Sequence, residues 1–198
     1  MTTRIVSLVV LLLIASSSAV RAQSFDLGAH LVGAHWSEFK GGDSGIGVRL
    51  GWKPVPVIGF EAEVNWYPGD FPDATVPFSD QRVEGLVGVT VGPKLGMFRP
   101  FVRVGTGLLR LAPASEIFAC VAIFPPPLSC LLAGGDTLPS LEIGGGIEVL
   151  LTGSTFLRFD AGDRVLRYPG PALTGSTREE RAFLGHAARF LLGGGLRF

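Results

Sequence analysis

Apolar residues recur at every second position through most of this chain. That is the repeat of a strand with one greasy and one polar side. Near the end of the sequence Ala188, Phe190, Leu192, Gly194, Leu196 and Phe198 share one parity; Arg189, Leu191, Gly193, Gly195 and Arg197 share the other. Seven upstream segments repeat the pattern, at 24–36, 45–53, 57–67, 82–93, 99–111, 138–151 and 155–166, with the eighth at 181–198. Phe25, Leu27, Ala29 and Leu31 form the apolar face of the first, and Phe60, Ala62, Val64 and Trp66 that of the third. The pattern predicts an all-β chain of eight strands.

The connections alternate in length. Those at 54–56, 94–98 and 152–154 are short, whereas 37–44, 68–81, 112–137 and 167–180 are longer and rich in turn-forming Gly, Pro and Asp. Short turns on one side and long loops on the other are the asymmetry of membrane barrels. An even strand number puts both chain ends on the short-turn side. Every Trp and Tyr falls at a predicted strand end: Trp36, Trp66, Tyr67 and Tyr168 toward the long loops, Trp52 toward the short turns. Interfacial aromatic girdles are distributed in this way. Alternation alone does not say which face points inward. A soluble lipocalin-like barrel buries the apolar face, and a membrane barrel shows it to lipid. The scarcity of charge on the apolar faces, the loop asymmetry and the terminal Phe198 favour the membrane version.

The chain resembles the small eight-stranded family of bacterial outer-membrane barrels that includes outer membrane proteins X and W and the barrel domain of outer membrane protein A. The run Gly96-Met97-Phe98-Arg99-Pro100-Phe101-Val102-Arg103-Val104-Gly105 is similar to the fourth turn and fifth strand of that family. The resemblance implies an eight-stranded antiparallel, up-and-down transmembrane β-barrel in the outer membrane, with periplasmic termini. It also implies that Phe190, Leu192, Leu196 and Phe198 form the signal read by the barrel insertion machinery. Outer-membrane lipid and periplasmic chaperones are its other expected partners. The sequence stops at the eighth strand, so the peptidoglycan-binding role of longer members is not expected.

Composition refines the picture. Arg4, the apolar run 5–14 and Val20-Arg21-Ala22 read as a secretory signal peptide cut after Ala22, leaving 23–198 as the barrel domain. Without Arg4 and Arg21 the basic residues fall from 17 to 15, against 17 acidic ones, and no basic cluster appears, which argues against nucleic acid as partner. In an exported chain the pair Cys120 and Cys130 is expected to form a disulfide.

With the apolar faces toward lipid, the expected lumen network is Arg49, Glu61, Glu63, Glu84, Arg103, Glu142, Glu148, Arg158, Asp160, Arg189 and Arg197. Both signs occur on neighbouring strands, so cross-lumen pairing is expected, with Arg49 and Arg103 meeting Glu61 and Glu63. An eight-stranded interior is just wide enough for side chains. The expected role is therefore non-enzymatic, structural or surface-interacting, with no cofactor and no metal. A narrow channel or carrier for small apolar solutes is the alternative. A lipid A-modifying enzyme is a third reading, with His186 at the outer rim and Ser140 or Ser176 as nucleophile, though no carboxylate is implied. His30 and His35 differ in strand face and make no metal site. Gly144-Gly145-Gly146 and Gly193-Gly194-Gly195 lack the helix and lysine of a phosphate loop and read as space for lumen side chains. The apolar loop 112–137, with Pro125-Pro126-Pro127 inside it, either folds over the mouth or binds a surface partner or apolar ligand.

Overall fold

The computed structural model describes residues 23–39, 41–69, 81–113, 124–174 and 177–198. The proposed signal peptide, Cys120 and Ser176 lie outside them. Eight strands close into one barrel: β1 (Ser24–Trp36), β2 (Gly41–Lys53), β3 (Ile58–Tyr67), β4 (Arg82–Val91), β5 (Phe98–Leu111), β6 (Thr137–Leu150), β7 (Thr155–Tyr168) and β10 (Phe183–Arg197). Each pairs antiparallel with its sequence neighbour, and β10 returns to β1, from Asp26 opposite Arg197 to Trp36 opposite Ala187. Backbone bonds between Phe25 and Phe198 extend the seam to the end of the sequence. Closure leaves no free edge, which a strand in lipid requires because no water satisfies its backbone there.

The long loops hold two elements that strand periodicity did not predict. A short helix, α1 (Leu128–Leu132), lies in the third long loop. The last loop carries a small hairpin of β8 (Ala172–Thr174) and β9 (Thr177–Glu179). The two loops are tied together where the Leu173 N–H donates to Pro126 O at 2.9 Å.

Alternation sets the two faces of the wall. Leu31, Val102 and Ile143 point outward and are each 62 % exposed, within a continuous outer band of Val, Leu, Ile and Phe. Residues of the other parity fill the interior. Toward the short turns the interior is charged. Toward the long loops it is an apolar core of Val32, Trp36, Tyr67, Leu109, Leu138, Leu166, Tyr168 and Leu191, capped by Leu128 and Leu132 of α1. Three aromatics expected in the interfacial girdle therefore belong to this core: Trp36, Tyr67 and Tyr168 are at most 1 % exposed. Their parity is the cause, since each lies one position beyond an outward residue. Trp66 and Trp52 do face outward, and Trp52 stacks on Phe60 with ring centroids 5.6 Å apart.

Candidate functional site in the barrel lumen

The charged half of the interior is built in levels, because staves of a tilted barrel bring inward residues of distant strands to one height. Nearest the short turns, Asp26 of β1, Lys53 of β2, Arg99 of β5, Glu148 of β6 and Arg197 of β10 come together. Lys53 donates to Glu148 at 3.1 Å and also pairs with Asp26. The Arg197 Nε donates to Asp26 at 2.8 Å, and its Nη2 pairs with Glu148.

One level up, Arg158 reaches Glu61 across the lumen and Asp160 on its own strand, the latter through Nε at 2.9 Å. Its guanidinium lies 4.1 Å from the Phe101 ring centroid. Arg49 donates to Asp160 at 3.3 Å. The expected Arg49 partners, Glu61 and Glu63, are engaged by Arg158 and by Arg103 and Arg189, so Arg49 crosses to β7 instead.

The next level is the densest. Arg103 donates to Glu63 at 2.9 Å and lies 3.6 Å from Glu142. Arg189 pairs with Glu63 and Glu142 and comes within 3.8 Å of Glu84, which also pairs with Arg164. Asn65 donates to Glu63 at 2.8 Å and Glu84 at 3.1 Å, and its Oδ1 meets the His30 Nε2 at 2.7 Å. Gly47 opposes both His30 and Asn65, and a Cβ there would collide with both side chains. The Tyr67 hydroxyl donates to Glu84 at 3.1 Å, and the Arg164 guanidinium sits 4.6 Å from the Trp36 ring, joining the charged level to the apolar core. Near the long loops Arg82 binds Asp43 at 2.8 Å.

All eleven lumen residues named from the sequence point inward. Asp26, His30, Asp43, Lys53, Asn65, Arg82, Arg99 and Arg164 were not part of the expected network, although each shares its strand's inward parity. Phe190, Leu192, Leu196 and Phe198 lie on the outer face of the closing strand.

Of the residues weighed for lipid chemistry, the described ones do not assemble. Ser140 is 5 % exposed and faces the lumen, while His186 faces outward through the same wall. A carboxylate absent from the sequence reading does meet His186: Asp163 accepts at 2.7 Å. The nearby Ser37 hydroxyl donates to the His186 backbone oxygen at 2.7 Å, so its described bond is not to the ring. Among the described residues no group of three or more His, Cys, Asp or Glu side chains is arranged for a metal ion. Cys130 lies on α1, and its expected partner is outside the described residues.

An apolar outer band around a charged interior reverses the order of a water-soluble protein. The chain is a membrane-spanning barrel. No protein-family model matches it, and no curated protein matches its sequence. Among solved structures it is similar to the N-terminal β-barrel domain of Pseudomonas aeruginosa OprF, at 14 % identity and TM-score 0.48, over 87 % of this chain and 97 % of that one. Neisserial surface protein A gives 15 % identity and TM-score 0.48, over 88 % of this chain and 95 % of its own. The outer membrane protein OprG of Pseudomonas aeruginosa gives 12 % and 0.47, over 89 % and 95 %.

Proposed function

We propose that this barrel is a non-enzymatic protein of the bacterial outer membrane, with a structural or surface-interaction role. Its short turns and both chain ends face the periplasm, and its long loops face outward. The observation that supports this is the filled lumen: paired charges occupy one half, and an apolar core capped by α1 occupies the other. Phe124, 76 % exposed beside the cap, offers an apolar contact point on the outer side, so loop 112–137 is the surface on which a partner docks. Signal-peptide cleavage after Ala22 and a Cys120–Cys130 disulfide belong to the same reading, since both fit export.

Epitope tags test the orientation. Gly134 beside α1 and Gly153 in a short turn both have open space around them, so insertions there leave the wall intact. Antibody is expected to label intact cells tagged at Gly134 and to miss those tagged at Gly153; the reverse pattern refutes the orientation. The intact mass of the purified protein reads the cleavage site and the disulfide together. Planar-bilayer recording is expected to give a silent barrel.

A gated carrier for small apolar solutes is the second reading. Its supporting observation is that the cap is a five-residue helix, which buries only Leu128, Ser129 and Leu132. Steady conductance by the unaltered protein decides for it.

A further inference from the structure

The levels of the lumen differ in charge balance. Beside the apolar core, Arg82 faces Asp43. In the dense level Arg103, Arg164 and Arg189 face Glu63, Glu84 and Glu142, with His30 beside them. Arg49 and Arg158 face Glu61 and Asp160. The level nearest the short turns is the exception. Lys53, Arg99 and Arg197 share Asp26 and Glu148, and Lys53 and Arg197 hold both carboxylates. Arg99 is left 3.9 Å from Glu148, beyond hydrogen-bond range.

Arg99 is only 2 % exposed, and none of its three guanidinium nitrogens has a hydrogen-bond partner. Every other lumen arginine donates at least one side-chain hydrogen bond. A buried guanidinium without acceptors is costly, and the cost falls when an anion supplies them.

The space for that anion is present. A cavity of about 370 Å³ opens at the short-turn mouth, and Arg99, Lys53, Arg197 and the exposed turn residue Lys94 all line it. Phe198 lines it too. Four cations thus line a hollow beside a level whose two carboxylates, Asp26 and Glu148, are already engaged by Lys53 and Arg197.

We propose that this mouth is a binding site for a small oxyanion, a phosphate or carboxylate group, with Arg99 as its principal contact. The planar guanidinium offers paired N–H groups that match the oxygens of either anion. Lys94 closes over the ligand from the turn. Lys53 and Arg197 stay on Glu148 and Asp26 and add field more than bonds. Arg99 is held there by β5, whose alternation turns Phe98 and Val102 outward and Arg99 inward.

The test uses the full barrel refolded in zwitterionic micelles at constant ionic strength. Inorganic phosphate and acetate are titrated separately, with chloride as the balancing salt. The Arg99 side-chain Nε–H signal is followed by nitrogen-15 NMR. Saturable shifts are expected with half-saturation of order 1 mM, the affinity of a few charge-assisted bonds. Tighter binding of phosphate assigns a phosphate-bearing ligand, and tighter binding of acetate a carboxylate-bearing one. R99Q is expected to weaken binding at least about tenfold. K94Q, on an exposed turn outside the wall, is expected to weaken it about threefold without touching the fold. Two results overturn the proposal: no saturable shift with either anion up to about fiftyfold that concentration, or undiminished binding in R99Q. If R99Q does not refold, the wild-type titration and K94Q decide alone.

Discussion

Arg189 is the residue on which the dense charge level turns, and its removal gives the sharpest test of that level. Its guanidinium is fully enclosed, pairs with Glu63 on β3 and Glu142 on β6, and lies 3.8 Å from Glu84 on β4. Arg189→Met keeps much of the volume and deletes the charge. Glu63, Glu84 and Glu142 are then left with Arg103 and Arg164, all buried in the lumen. Breaking a buried pair by removing one partner costs about 3–5 kcal/mol, chiefly because a charge is stranded. With a urea slope of roughly 2 kcal/mol per molar, a loss of about 4 kcal/mol lowers the unfolding midpoint by about 2 M. The assay is urea unfolding of the refolded barrel in lipid vesicles, read by the migration difference between unboiled and boiled samples. Arg178→Gln is the control: Arg178 and Glu180 are 3.8 Å apart with both side chains more than half exposed, so its expected cost is below about 0.5 kcal/mol. Arg189→Met with Glu63→Gln is expected to recover part of the loss, because one stranded carboxylate is gone. A single-mutant midpoint within about 0.3 M of wild type, at an unchanged slope, refutes the reasoning. It would mean that the carboxylates are solvated in the lumen and the level is not dry.

Three other outcomes follow from the same geometry. Val104→Arg puts a charge on the outer face of β5 and is expected to cost up to about 2–4 kcal/mol in vesicles; a water-soluble barrel would tolerate it, which the folded fraction on a gel reads. Leu132→Ala empties part of the cap, at a cost of about 2–5 kcal/mol, and is expected to produce intermittent conductance in planar bilayers; continued silence counts against the cap as the seal. Gly47→Val drives a side chain into the His30–Asn65 contact and is expected to cost about 1–3 kcal/mol, whereas Gly153→Val in the open short turn is expected to leave the midpoint within about 0.5 kcal/mol of wild type.

The strand count and the two faces of each strand follow from parity, and parity is written in the sequence; which face looks at lipid took the loop asymmetry and the scarcity of charge on the apolar faces. Phe25, Leu27 and Leu31 point out, so Asp26 and His30 must point in, and the same counting places Lys53 after Trp52 and Arg99 after Phe98. These inward charges share the parity of the lumen residues read from the sequence and are legible from it. Trp36, Tyr67 and Tyr168 obey the same parity: height along a strand places a ring near an interface, and only parity says whether it faces lipid or lumen. The pairing scheme lies beyond such counting. Whether Arg49 meets Glu61 or Asp160 depends on the stagger of staves on opposite sides of the barrel, which no local period records. The helix α1 and the β8–β9 hairpin were also illegible, because their packing comes from the barrel mouth they cover and not from a repeat of their own.

Two seals of opposite chemistry in one lumen place different demands on the protein. The apolar cap is non-directional: Leu128 and Leu132 have only to be covered, so the loop carrying them tolerates change provided it stays greasy. The charged levels are directional, and each arginine needs particular oxygens at particular heights. A substitution in the cap therefore opens one mouth locally, whereas one in the charged levels strands a charge shared among three or more staves and weakens the whole wall. The long-loop end, where Phe124 projects, is therefore the end that tolerates substitution best. At the other end, Arg99 stays fixed by the strand yet lacks an internal acceptor. A buried charge held without an acceptor adds nothing to the seal, and that is the physical reason for looking to a ligand at that mouth rather than to the fold.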